Sequence, residues 1–214
     1  VTEPRRAGDR AALGPERLLA FSDGVVAIGL TLLVLPLADL VPEAAEPERS
    51  GLTIITDNLA PVGSFVLSFA VIARFWAAHH RVFDDAPRVG PGLVWINTLW
   101  LFTIVVLPFP TEMVGAFPED DFTLRFYVGT LFASSALLTV MTHLVARSRP
   151  REERAAAVRR SGSGVTALLL LLILAVTLVV PDLGYWPLLV LFATSPLERV
   201  LGPVIMRRLG HTPD

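Results

Sequence analysis

Arg17-Leu18-Leu19-Ala20-Phe21-Ser22-Asp23-Gly24 runs into GVVAIGLTLLVLPLA, residues 24–38, with no charge after Asp23. A helix needs about 20 predominantly apolar residues to cross the hydrocarbon core of a bilayer, and this segment supplies them. It also carries a carboxylate and a hydroxyl about one and a half turns inside its charged end. The first feature decides the class of fold. The second directs the search for a site.

Working outward, further apolar runs bounded by charge or Pro/Gly clusters predict an all-α membrane protein with six transmembrane helices. The spans are Arg17 to Ala38, Asn58 to Phe83, Leu93 to Val114, Phe122 to Ala146, Gly164 to Val180 and Tyr185 to Met206. The last two form a hairpin across Pro181-Asp182-Leu183-Gly184. Residues 1–16 read as a polar cytoplasmic tail and not a cleaved signal peptide. Residues 17–208 form a single transmembrane domain, and 209–214 a second cytoplasmic tail. There is no internal repeat and no pair of Gly/Pro-broken helices meeting at the midplane.

The composition agrees: 53% of the 214 residues are hydrophobic, more than an ordinary soluble domain carries. There is no Cys, which excludes thiolate catalysis, disulfides and cysteine-ligated metals. All 18 basic residues are Arg. Arg5, Arg6, Arg10 and Arg17 precede span one, Arg81 and Arg88 follow span two, and Arg147, Arg149, Arg151, Arg154, Arg159 and Arg160 follow span four. Arg207 and Arg208 close the sequence. The other connections hold Glu43, Glu46, Glu48, Glu112, Glu119, Asp120, Asp121 and Asp182, with Arg49 as the basic exception. By the positive-inside rule both termini are cytoplasmic.

An ionisable group in a membrane helix normally faces protein or water and has a partner, so Asp23 marks a candidate site. Arg17 and Phe21, four apart, fit a cation–π pair on one face. Arg17 and Asp23 are six apart, which at ~100° per residue sets them on different faces. Asp23 therefore needs a partner from another helix. Span two runs the opposite way and ends Arg74-Phe75-Trp76-Ala77-Ala78-His79-His80-Arg81, which brings His79 and His80 to the depth of Ser22 and Asp23. An inert packing network is the plainer account of these polar groups, against a direct place in a permeation path. A metal site from His79, His80, Asp84 and Asp85 is disfavoured, because adjacent helical histidines diverge by ~100°. Ile28, Thr31, Leu32 and Leu35 form a stripe at i, i+3, i+4 and i+7, which by itself reads as lipid-facing or bundle packing. Tyr127-Val128-Gly129-Thr130 is loosely filter-like but lies within a helical run, so it reads as helix.

The RxxxFSD pattern of Arg17, Phe21, Ser22 and Asp23, with the GVVAIGLTLLVLPL that follows, resembles the first helix of the lysosomal potassium channel family of the transmembrane-protein-175 type and its bacterial members. The span-two ending FWAAHHRVF and the Asn97-to-Thr111 stretch ending Pro108-Phe109-Pro110-Thr111 resemble it too. The resemblance covers the first half of the chain by motif and the second by span count. It implies a potassium-permeable cation channel in a bacterial plasma membrane, a homotetramer around a central pore lined by the first helix. Ile28 corresponds to the narrowest constriction, Leu32 and Leu35 to further rings, and Thr31 to a pore-facing hydroxyl layer. Arg17, Phe21, Ser22 and Asp23 correspond to a structural and gating motif, with Arg74, Trp76, His79 and His80 as its supporting network.

The implied partners are the lipid bilayer, monovalent cations and further copies of the chain, with no cofactor, metal, nucleic acid or enzymatic activity. Rings of Ile and Leu offer no ligand to replace a hydration shell, so discrimination is expected to be modest. The competing reading is a proton-coupled secondary transporter using Asp23 and His79/His80. An intramembrane hydrolase built on Ser22, Asp23 and His79 lacks any nucleophile motif such as GxSxG.

Overall fold

The computed structural model describes residues 14–43, 50–84, 86, 89–148, 150, 154 and 163–179. Their regular structure is helical, with no strand among the described residues: α1 Pro15–Leu32, α2 Leu35–Glu43, α3 Gly51–Asp57, α4 Leu59–Asp84, α5 Pro91–Val106, α6 Pro108–Ala116, α7 Asp121–Arg147 and α8 Ser163–Val179. Four stretches are long and apolar enough to cross a membrane: Pro15–Val41, Leu59–Phe83, Pro91–Ala116 and Asp121–Arg147. They coincide with the first four expected spans, and α8 matches the fifth. The sixth span, the hairpin turn before it, residues 1–13 of the first expected tail and the second tail, 209–214, lie outside the described residues.

Local chemistry explains the helix starts. Pro15 and Pro91 occupy the first turns of α1 and α5, where a missing N–H costs nothing. Ser50 caps α3, a short helix the apolar runs did not predict, by accepting from the Thr53 N–H at 3.3 Å. Asp120 caps α7, accepting from the Thr123 N–H at 2.8 Å and its hydroxyl at 2.7 Å. The Thr123 hydroxyl, then its N–H, hold the Asp120 carboxyl below its ordinary value of 3.8.

Two crossings are broken. Span one is interrupted at Leu33–Val34, before Pro36, and span three at Leu107, before Pro108 and Pro110. Proline has no N–H to continue the helical ladder, and its ring crowds the carbonyl one turn earlier. The six apolar runs, each taken as one continuous helix, did not anticipate these breaks. The breaks lie past the middle of each span, and Leu33 and Pro36 share with Pro108 the lining of one cavity of about 640 Å³.

In lipid, apolar side chains gain little by leaving one apolar medium for another, so close packing and hydrogen bonds must hold the bundle together. Trp100, Ile104, Tyr127, Leu131, Met141 and Leu170, on α5, α7 and α8, are fully enclosed in the bundle. Hydroxyls tie the helices in the same interior. Ser68 on α4 bridges Thr111 on α6 at 2.8 Å and Tyr127 on α7 at 2.9 Å, and Ser134 on α7 donates to Thr103 on α5 at 2.7 Å. Tyr127 is thus a buried helical tie and no filter residue. Gly115 lets α6 meet α4: a Cβ there would stand 2.9 Å from the Pro61 Cα and 3.1 Å from the Ser64 hydroxyl.

Two predictions follow from these contacts. Gly115→Ala should destabilise the purified protein by about 1–3 kcal/mol through overpacking against backbone. Gly129→Ala, where a Cβ meets nothing within 4 Å, should be neutral or mildly stabilising in the same thermal unfolding measurement. The Asp120 cap should contribute stability fully above the ordinary carboxylate value and lose it as pH falls through the lowered one. The melting-temperature difference between wild type and Asp120→Ala should therefore be constant near neutral pH and shrink on acidification.

Candidate functional site

The site is set by which way α1 faces. Leu18, Ser22, Val26, Gly29 and Leu33 are buried against the bundle. On the opposite side Phe21, Gly24, Ile28, Thr31, Leu32 and Leu35 stand exposed, Ile28 by 60% and Leu35 by 52%. The four residues expected to line a pore therefore share the face that the protomer leaves uncovered. Gly29 lets the buried face approach α5, a Cβ there meeting Ile104 at 3.4 Å.

A buried polar chain fixes this rotation. The Ser22 hydroxyl donates to the Leu18 carbonyl at 2.8 Å, so its oxygen accepts from the Asn97 side-chain N–H at 3.0 Å. That orientation turns the Asn97 carbonyl toward His79 Nε2, 2.7 Å away, and makes Nε2 the protonated nitrogen. All three side chains are fully enclosed, joining α1, α5 and α4. The His79 ring also stacks on Trp100, centroids 4.3 Å apart and planes 8° apart. Among the described residues His79 Nδ1 and Trp100 Nε1 have no hydrogen-bond partner.

A second, half-exposed cluster holds Asp23. Its carboxylate accepts from the Trp76 indole N–H at 2.9 Å and lies 3.5 Å from His80 Nε2. The other His80 ring nitrogen faces the Trp76 carbonyl at 3.3 Å. The partner that Asp23 requires thus comes from α4.

Several expected associations are not made. Arg17 and Phe21 are both exposed and form no cation–π contact among the described residues. Arg74 reaches α8 as well, its guanidinium donating to Thr166 at 3.2 Å. Ser22 and His79 meet through Asn97 and not directly, and the Ser22 proton is committed to backbone, so no Ser–His pair is poised for catalysis. No group of three His, Asp or Glu among the described residues is placed to hold a metal. Asn97 is the residue that sequence reasoning passed over. Its signal was an amide inside an apolar span, at the depth of Ser22.

Residues 17–108 match the family model described as the endosomal/lysosomal potassium channel TMEM175. A Streptomyces collinus relative named a potassium channel is 39% identical over 106 residues, 49% of this chain and 50% of the relative. A Chamaesiphon minutus relative, likewise named a potassium channel, is 36% identical over 121 residues, 55% of this chain and 59% of the relative. The Danio rerio protein named the endosomal/lysosomal proton channel TMEM175 is 28% identical over 121 residues, 56% of this chain and 23% of that one. The chain thus spans about half the length of the bacterial relatives it matches. The crystal structure of a lysosomal potassium-selective channel TMEM175 homolog from Chamaesiphon minutus superposes with a TM-score of 0.63 at 24% identity, over 92% of this chain and 98% of the other. The chain therefore shares that structure's fold, a bundle of membrane-spanning helices. The motif of Arg17, Phe21, Ser22 and Asp23 lies inside the matched family segment.

Asn97→Ala would leave the His79 Nε2–H without an acceptor and the Ser22 oxygen without its buried donor. We predict a loss of about 1–3 kcal/mol from such an unsatisfied group. Thermal unfolding in detergent checks this, and an unchanged midpoint contradicts the network's structural role.

Proposed function

We propose that the chain forms a potassium-permeable cation channel, assembled as a homotetramer with α1 of each subunit around the axis and both termini cytoplasmic. The observation that carries this reading is the uncovered face of α1. Ile28, Thr31, Leu32 and Leu35 are exposed in the protomer although they lie on a helix whose other side is held by the buried Ser22. The relatives named as potassium channels favour the same reading.

In the proposed pore Ile28 forms the constriction, with Leu32 and Leu35 as further apolar rings that gate by dewetting and sieving. Thr31 supplies the polar layer. Its hydroxyl proton is given to the Ile28 carbonyl at 2.8 Å, so what it presents outward is an oxygen with free lone pairs, suited to a partly dehydrated cation. Ser22, sealed behind α1, acts by holding the helix and touches no ion. Arg17, Phe21 and Asp23 lie toward the cytoplasmic end, where a change in the Asp23, Trp76 and His80 contacts shifts α1.

The proton-coupled transporter reading draws on the same Asp23 and His80 pair, 3.5 Å apart, and on the two Pro-broken spans. Saturable, stoichiometrically coupled uptake favours it over a channel.

Potassium flux or single-channel recording from purified protein in liposomes tests the channel. Absence of cation conductance under every gating condition overturns it. Ile28→Asn should raise conductance by about tenfold if the ring is the main barrier, a change of ~1.4 kcal/mol, and weaken ion discrimination. An unaltered permeation profile rejects Ile28 as the constriction.

A further inference from the structure

The break in span one exposes a main-chain acceptor that the apolar stripe conceals. Pro36 has no N–H, so the Leu32 carbonyl loses the donor that a continuous helix would give it. No other described backbone bond replaces it. The Val34 N–H turns back to the Thr31 carbonyl at 3.4 Å, and the ladder resumes only with Ala38 N–H to the Val34 carbonyl at 3.0 Å. Leu33 remains in the right-handed helical region, with φ −61° and ψ −25°. The chain therefore continues in nearly the same direction, and the carbonyl is not carried away from the helix surface.

The position of this oxygen follows from helix geometry. The carbonyl of a helical residue points toward the residue one turn later, so the freed acceptor lies between Leu32 and Pro36. Leu32 is 38% exposed and Leu35 beside it 52%, on the stripe that includes Thr31. Pro36 borders the cavity of about 640 Å³, whose rim carries Asp39, Asp57 and Glu112. A bare carbonyl in a membrane helix is costly unless it meets a donor, water or a cation. Carbonyl oxygens are hard ligands that replace part of a cation's hydration shell.

We propose that the Leu32 main-chain carbonyl, freed by Pro36, forms a second oxygen layer for partly dehydrated monovalent cations, one step outward from the Thr31 hydroxyls. The inference rests on the channel reading with α1 at the axis. It assigns discrimination to the backbone at a position whose side chain is apolar, and makes Pro36 a specificity-determining residue that acts through Leu32.

The test uses the full-length protein, with Rb⁺ as the probe. Anomalous diffraction from crystals grown in Rb⁺ should show density at the Leu32 carbonyl as well as at Thr31. Density at Thr31 alone overturns the proposal. Pro36→Ala restores an N–H to the Leu32 carbonyl and should abolish that density. In liposomes it should lower the K⁺/Na⁺ permeability ratio by about threefold, as expected for one lost weak ligand layer, with the oligomeric state on size exclusion unchanged. A conducting Pro36→Ala protein with the wild-type ratio rejects the layer and leaves the channel reading intact. A wild type that conducts no cation rejects that reading itself. Should Pro36→Ala fail to assemble, the Rb⁺ density in the wild type decides.

Discussion

The hydrogen-bonded chain from Ser22 through Asn97 to His79 is the constraint on which the rest depends. A membrane helix gains little from turning one apolar face rather than another toward its neighbours, since lipid tails and leucines are similar solvents. A buried amide or imidazole is different, because an unmet polar group in hydrocarbon costs far more than an imperfect apolar contact. Three fully enclosed polar side chains, 2.7 and 3.0 Å apart, therefore choose one rotation for α1. Once Ser22 points inward, Ile28, Thr31 and Leu35 have no option but to point outward.

The same economy appears throughout the bundle. Ser68 with Thr111 and Tyr127 binds α4, α6 and α7, and Arg74 with Thr166 binds α4 to α8. Gly115 brings the α6 and α4 backbones close where a methyl group would intrude. Against this well-tied interior the uncovered side of α1 stands out, and so do the two Pro breaks. Each break releases main-chain acceptors that a continuous crossing would keep paired, and each lies beyond the level of the polar chain.

Much of this was legible in the sequence, for physical reasons that differ from residue to residue. Hydropathy located the first four crossings because the length of an apolar run is a direct requirement of the bilayer. Asp23 announced a partner on span two because a carboxylate at that depth needs one, and antiparallel counting reached His79 and His80. Which of the two histidines did so was not legible. Adjacent positions on α4 face different neighbours, and only packing separates His79, turned inward to Asn97, from His80, turned to Asp23. Asn97 itself was missed because the amide in its apolar span marks a buried polar group but not its partners, which are set by how α5 packs against α1 and α4. The helix breaks were overlooked although Pro36, Pro108 and Pro110 are plain in the sequence, since high hydropathy carried the eye across them. The stripe of Ile28, Leu32 and Leu35 acquired meaning through family resemblance, and its exposure in the protomer adds a structural reason for attention.

The central claim is that the buried polar chain turns one particular face of α1 toward the permeation path. The chain contains no Cys, so a single introduced thiol is free of background. The most direct measurement is block of potassium flux by Cd²⁺ in liposomes containing either Ile28→Cys or Val26→Cys protein. This account predicts chelator-reversible block of Ile28→Cys and none of Val26→Cys, whose side chain lies in the protomer interior. Block of Val26→Cys with Ile28→Cys unaffected would place the opposite face of α1 on the ion path and contradict it.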